Sequence, residues 1–212
     1  MIFLESEFVL RLYLVRHGET VWNFENRIQG ASDVPLNKKG REQAQDLANK
    51  LQEIKFFKIF SSPLVRALET AKILSTSQNR SISQMDNFAE LDQGQLEGLK
   101  FQEIQEKFSD FSSEWRTVPG EVRMPGGETL SELQDRAWKG IENLFEKFSH
   151  EKDPILIVSH NLAIICILSR ILGVSLNDFR KFRQHNASVN IIEHDSMRGW
   201  SIVTMNDLSH LS

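Results

Sequence analysis

A single cysteine, Cys166, stands among 212 residues. No intramolecular disulfide and no cysteine-rich zinc site can form, and that usage fits a reducing cytoplasm. Positive charge is also in short supply: 25 Lys and Arg against 29 Asp and Glu leave a net charge of -4 and a pI near 5.9. A mildly acidic surface speaks against nucleic acid or an anionic membrane as partner, but it leaves room for a small basic pocket. Long apolar runs are missing as well. The longest, Leu162 to Leu168, falls far short of the ~20 residues that a membrane-spanning helix needs. The opening MIFLESEFVL has no basic n-region and carries Glu5 and Glu7, unlike a secretory leader. Repeats, low-complexity tracts and linkers are absent. What is present is ordinary for a globular chain, 40% apolar and 25% charged, and long enough to bury roughly 70% of its unfolded surface without a staple. The expectation is a soluble, cytoplasmic, single domain over residues 1–212.

Periodicity orders the chain. Leu12 to Val15 reads as a buried strand. Asn37 is a plausible N-cap for a helix whose Ala44, Leu47, Ala48, Leu51 and Ile54 recur at helical spacing. Phe56 to Phe60 reads as a second strand, and Ser62-Pro63 as the N-cap and first residue of the next helix, with Ala67, Ala71 and Leu74 on one face. The pattern weakens after Ser75: a short strand near Ile82, a loop over Glu90 to Gly98 and a helix over Phe101 to Phe108 are expected. Pro125-Gly126-Gly127 then punctuates the chain before the longest helix, striped by Leu130, Leu133, Ala137, Ile141, Leu144, Phe145 and Phe148. The strand Ile155 to Val158 leads to a helix apolar nearly all round, Leu162 to Leu172, with Gly173 as its C-cap. A basic turn, Arg180 to Arg183, read as a solvated face, precedes two strands, Val189 to Glu193 and Trp200 to Met205. Alternation of strands and helices predicts an α/β fold, a three-layer sandwich whose mostly parallel mixed sheet is covered by helices on both faces.

The positions of two histidines carry the functional signal. The strand at Leu12 ends in Arg16-His17-Gly18, and the strand at Ile155 ends in Ser159-His160-Asn161. Ligands of open parallel sheets bind outside the carboxyl ends of the strands, so His17 and His160 meet on one rim if those strands are neighbours.

These residues belong to a longer pattern. Leu14-Val15-Arg16-His17-Gly18-Glu19-Thr20 with Trp22-Asn23 and Arg27-Ile28-Gln29-Gly30 resembles the signature of the histidine phosphatase superfamily, the phosphoglycerate mutase-like group. The similarity continues in order through Asp33, Pro35-Leu36, Gly40, Gln43-Ala44, Ser61-Ser62-Pro63-Leu64, Arg66-Ala67 and Thr70-Ala71. It then takes in Glu90-Leu91, Gly94, Glu97-Gly98, Gly126-Gly127-Glu128 and Val158-Ser159-His160, covering roughly residues 10 to 205. The resemblance implies a phosphatase acting on small phosphate monoesters. His17 is then the nucleophile that forms a phosphohistidine, one ring nitrogen being pinned by a backbone carbonyl. Arg16 and Arg66 are expected to clamp phosphoryl oxygens with their planar guanidinium forks, and His160 to be a further phosphate ligand. Glu90 is the expected general acid and base, ahead of Asp92 and Glu97. Asn23, Gln29, Gly30 and Asn161 match positions that line phosphate or substrate, whereas Glu19 reads as a first-turn helix charge.

The resemblance implies neither metal nor cofactor, because arginines and histidines take the place of a magnesium clamp, and no spacing among the remaining histidines suggests a metal site. Pro125 to Thr129 lacks the spacing of a phosphate loop and reads as the start of the long helix. The family also holds cofactor-dependent mutases and non-catalytic members. Mutases carry a longer, basic, tyrosine-rich insertion between the acid and the Gly-Gly-Glu turn; here a short mixed-charge lid at about 92–124 favours hydrolysis. Phe101, Phe108, Phe111, Trp115 and Met124 form lid core or a pocket for the leaving group, core being the stronger reading. The stretch from Asn186 to Leu211 resembles metal-independent phosphoserine phosphatases, but Gln93 stands where that subgroup has a histidine. The expected partner is a small phosphorylated metabolite, and an apolar edge strand at the C-terminus would permit a homodimer.

Overall fold

A computed structural model describes residues 9–211; the residues 1–8 of the opening stretch read above for a leader lie outside the described residues. One six-stranded sheet organises the chain in the order β3-β2-β4-β1-β5-β6. β1 (Val9–Arg16), β2 (Lys58–Ser61), β3 (Ile82–Gln84) and β4 (Ile155–Ser159) run parallel. β5 (Val189–Asp195) and β6 (Gly199–Asp207) complete it as an antiparallel pair. The α/β sandwich expected from the alternation is the observed one.

Alternation of side chains along each strand builds the two outer layers. Leu12 and Leu14 of β1, with Ile155 and Ile157 of β4, face α6 (Leu130–Phe148) and α7 (Asn161–Leu172), meeting Ala137, Ile141, Leu144, Ile164 and Ile167. Tyr13, Val15, Leu156 and Val158 point the other way, onto Leu47, Ala48 and Leu51 of α2 (Lys38–Leu51) and Ala67, Ala71 and Leu74 of α3 (Val65–Gln78). β4 is buried at every position, as a central strand covered on both faces must be. A short helix, α1 (Val21–Phe24), follows β1. At the far edge, β6 leaves Val203 and Met205 exposed.

Several expectations shift. Phe56 and Phe57 precede β2 rather than form it; Phe56 is buried against Tyr13, their rings 5.1 Å apart. α3 starts at Val65, not at Pro63, because Leu64 is still extended, with ψ 137°. Asp33 caps the helix from another loop, its Oδ1 accepting from Val65 N–H at 2.6 Å. The helix expected over Phe101 to Phe108 is α4 (Phe101–Lys107), and a second, α5 (Ser109–Thr117), follows it. With the Gly94–Leu96 turn they fill residues 92–124, and Ile104, Phe111 and Trp115 pack over Leu91, Leu96, Met124 and Leu162. Thr129 caps α6 through a reciprocal box with Glu132. The basic turn is a 3-10 helix, Leu176–Lys181, and Arg180 is not free in solvent: it lies over the Phe179 ring at 4.6 Å. No helix among the described residues is long and apolar enough to cross a membrane.

Candidate active site

Three adjacent strands deliver the site. β4 lies between β2 and β1, with Arg16 in register with Ser159 and Ser61 with Val158. The residues just past the three carboxyl ends, Ser62, His160 and His17, therefore stand side by side. The His17 and His160 rings lie 5.1 Å apart, as neighbouring strands require.

Each ring has one nitrogen engaged. His17 Nδ1 lies 2.7 Å from the Gly18 carbonyl oxygen; a carbonyl only accepts, so Nδ1 carries the proton and Nε2 keeps its lone pair. His160 Nε2 lies 2.7 Å from Ser62 Oγ. Leu64 N–H also donates to that oxygen, at 3.3 Å. Burial, reinforced by the Arg66 and Arg16 charges, pushes both histidines well below their ordinary value, so both are neutral at neutral pH.

The two arginines are held from behind. Arg66, 1% exposed, donates from Nη1 to the Ser32 carbonyl and from Nη2 to the Gly30 carbonyl, both at 2.7 Å. Gly30 adopts φ +55°, and Glu97 packs where a Cβ would lie, so glycine is required there. Arg16 donates from Nη1 to the Gln184 carbonyl. Desolvation, with Arg66 nearby and Glu90 opposing, pulls the Arg16 guanidinium down to about 10, still charged at neutral pH; desolvation lowers Arg66 as well.

Glu90, 8% exposed, sits at the N-terminus of α7. Its Oε2 accepts from Leu162 N–H at 3.2 Å and its Oε1 from Ala163 N–H at 3.3 Å, among the amides a helix start leaves unpaired. Arg136 secures the segment beneath, donating to the Ala89 and Glu90 carbonyls at 2.8 and 2.7 Å while pairing with both Glu128 carboxylate oxygens.

Arg16, His17, Asn23, Gln29, Gly30, Arg66, Glu90 and Asn161 all line one cavity of about 160 Å³. His160 is not on its wall; it is fully buried beside His17. Arg16 Nε, Arg66 Nε and His160 Nδ1 are buried without a hydrogen-bond partner in the described structure. Leaving a buried donor unmade costs ~1–3 kcal/mol, and the two arginines line a cavity that an anion would satisfy. Glu19 is not a first-turn charge of its own helix: it precedes the cap Thr20 and accepts from Asn37 Nδ2 at 2.8 Å, fastening the His17 turn to the start of α2.

Residues 12–208 match the model of the histidine phosphatase superfamily, branch 1. The chain belongs to that superfamily. A Salmonella choleraesuis protein named probable phosphoglycerate mutase GpmB is 35% identical over 96% of this chain and 95% of its own. Among solved structures, Bacillus stearothermophilus YhfR superimposes with a TM-score of 0.89 at 30% identity, covering 96% of this chain and 100% of that one. A mycobacterial glucosyl-3-phosphoglycerate phosphatase complexed with VO3 gives 0.84 at 25% identity over 94% and 100%. An Entamoeba histolytica phosphoserine phosphatase mutant in complex with phosphoserine gives 0.83 at 25% over 96% and 100%.

Within this histidine phosphatase cavity, several contributors lay beyond sequence reasoning. Arg27 and Gln93 also line it. Ser62 engages His160, and the Gln184 carbonyl holds Arg16. Asn186 bridges the His17 carbonyl and Asn23 Oδ1, both at 3.2 Å. The Ser-Ser-Pro and Asn-Ala-Ser runs were visible as letters, but only strand order shows that they converge. Gln93, Phe101, Phe111, Trp115 and Met124 also line a separate apolar cavity of about 60 Å³ beside the first, so those aromatics are partly core and partly pocket.

Proposed function

We propose that the protein is a phosphatase that hydrolyses small-molecule phosphate monoesters through a phosphohistidine on His17. The observation that carries this reading is the pair of orphaned buried donors, Arg16 Nε and Arg66 Nε, on a cavity that also holds a neutral imidazole with its Nδ1 proton committed to Gly18. A phosphomonoester is a dianion, and neutralising its oxygens is the first task of a catalyst.

In the first step the His17 Nε2 lone pair attacks phosphorus, the bond from phosphorus to the ester oxygen breaks, and Glu90 gives its proton to the departing alkoxide. The ring becomes cationic as the P–N bond forms, and the Gly18 carbonyl at 2.7 Å stabilises the Nδ1 proton. In the second step water attacks phosphorus, Glu90 takes its proton, the P–N bond breaks, and phosphate leaves with His17 neutral again. Arg16, Arg66 and His160 hold the transferring oxygens, while Asn23, Gln29, Gly30 and Asn161 shape the cavity. The two arginines supply the positive charge in the proposed steps, with His160 as a neutral partner. Residues 92–124 act as the lid, and their short, mixed-charge make-up favours access of water.

The names of the phosphoglycerate mutase relatives support a second reading, transfer of the phosphoryl group to another substrate hydroxyl. Acid quench during turnover of p-nitrophenyl phosphate separates the two. Hydrolysis yields an acid-labile phosphoenzyme and stoichiometric free phosphate, both lost in His17→Ala; a mutase requires a bisphosphate primer and releases little phosphate. Full activity in His17→Ala would overturn both. A panel of monoesters that includes phosphoserine, phosphoglycerates and sugar phosphates, compared by kcat/KM, ranks the substrates.

A further inference from the structure

A second concavity, of about 350 Å³, opens beside the phosphate cavity and shares Asn161 with it. It continues along α7 to Ile165 and is bounded on the far side by Phe179, Arg180, Phe182 and Arg183. That far wall carries two arginines and no carboxylate. Several exposed arginines elsewhere on this acidic protein pair with carboxylates, as Arg41 does with Glu69 and Arg170 with Asp135. Arg183 forms no hydrogen bond and no ion pair among the described residues. Arg180 spends one donor on the Trp115 carbonyl at 2.7 Å and its guanidinium lies 4.6 Å from the Phe179 ring and 5.7 Å from the Trp115 ring. Asp178, the carboxylate of the same turn, is taken up by Lys181 at 2.8 Å. Burial and the neighbouring Arg116 charge pull the Arg180 guanidinium below its ordinary value. Two guanidinium groups therefore face a groove with no carboxylate on its wall, and aromatic rings hold one of them in place.

We propose that this groove binds a second anionic group carried on the leaving part of the substrate. The inference rests on the phosphatase reading and adds a substrate class to it. From Asn161 to Ile165 is one helical turn, an advance of ~6 Å, and the arginines lie beyond it. A substrate that touches both sites has its second anion, a carboxylate or another phosphate, at the end of a chain or ring of about five or six carbons. Three-carbon phosphoacids stay within the phosphate cavity and do not reach Arg183. His185, whose Nδ1 lies 2.9 Å from Asn206 Nδ2, closes the outer end of the groove.

The test compares matched pairs of substrates: 6-phosphogluconate against glucose 6-phosphate for a carboxylate, and fructose 1,6-bisphosphate against fructose 6-phosphate for a phosphate. The ratio of kcat/KM within at least one pair favours the doubly anionic member in the wild type. Arg183→Ala lowers that ratio about fivefold, and Arg183→Glu lowers it further, as expected for one exposed ion pair in which ~1 kcal/mol is at stake. The pair that responds identifies which anion is bound. Ratios near one in the wild type for both pairs, or ratios within twofold of wild type in both variants, overturn the subsite. Those results leave the phosphatase reading standing as long as p-nitrophenyl phosphate turnover depends on His17; loss of that dependence is a separate failure.

Discussion

Arg136 reaches Glu90 through the main chain: its Nη2 donates to the Glu90 carbonyl oxygen at 2.7 Å while its Nε donates to Glu128 Oε1, also at 2.7 Å. One side chain on α6 thus sets the height of the loop that carries the proposed acid, and the Glu of the Gly-Gly-Glu turn holds that side chain in place. Arg136→Met removes the clasp without touching the cavity. The expected result is about a tenfold fall in kcat with a smaller change in KM. Loss of the hydrogen-bonded pair should remove ~2 kcal/mol of stability, a drop of several degrees in the unfolding midpoint. A variant that loses stability while keeping wild-type kcat would show that Arg136 only braces the fold.

Ser62 makes a second prediction. Its hydroxyl orders His160, which has no other partner on Nε2. Ser62→Ala should lower kcat about tenfold by freeing the ring to turn, and Ser62→Thr, which restores a hydroxyl, should recover much of it. Equal activities in the alanine and threonine variants would remove the hydroxyl from the argument.

The neutral histidines give a pH dependence of defined sign. Both fold with pKa values held well below the ordinary 6.5, so below that pH the unfolded chain binds protons that the folded chain refuses. Their effect on stability is absent above pH 6.5 and turns destabilising as pH falls, by up to ~1.4 kcal/mol per unit for each ring. Denaturant midpoints measured from pH 7 to 5.5 should decline, and His17→Gln should decline less steeply. Parallel slopes for the two proteins would refute the assignment.

The His17 turn and the start of α2 touch backbone to backbone. A Cβ at Gly40 would lie 2.0 Å from the Glu19 carbonyl oxygen, and one at Gly18 would lie 2.3 Å from the Gly40 carbonyl. No side-chain rotation relieves a clash with backbone. Gly40→Ala should therefore cost about 2–3 kcal/mol, within the range for overpacking a fitted site, and reduce activity by displacing His17. Chemical denaturation and p-nitrophenyl phosphate turnover measure the two effects together.

The legible parts of the chain are those where burial writes a period into the sequence. α6 and α7 declare themselves because their inward stripes must be apolar, and β1 and β4 because central strands are apolar on both faces. His17 and His160 were legible as strand-end residues, and the ordered motifs around them supplied the rest. α5 was not legible, since none of its residues is fully buried and only Phe111 and Trp115 mark an apolar side. The start of α3 was misplaced because its cap, Asp33, comes from a loop thirty-odd positions away in sequence. Ser62, Gln184 and Asn186 act through a hydroxyl, a main-chain carbonyl and a side-chain amide. Such roles depend on who the neighbours are, which composition and spacing do not encode.

Cys166 lies on α7, one turn beyond the residues whose amides meet Glu90, and it is fully enclosed against α6. Its burial pushes the thiol above its ordinary value, so a disulfide reagent meets neither an accessible nor an ionised sulfur in the native state. As the only sulfhydryl in the chain, it can be labelled only when α7 lifts away from its neighbours. The rate of that labelling, followed with and without inorganic phosphate, is therefore a built-in stopwatch for how often the helix under the proposed acid comes loose.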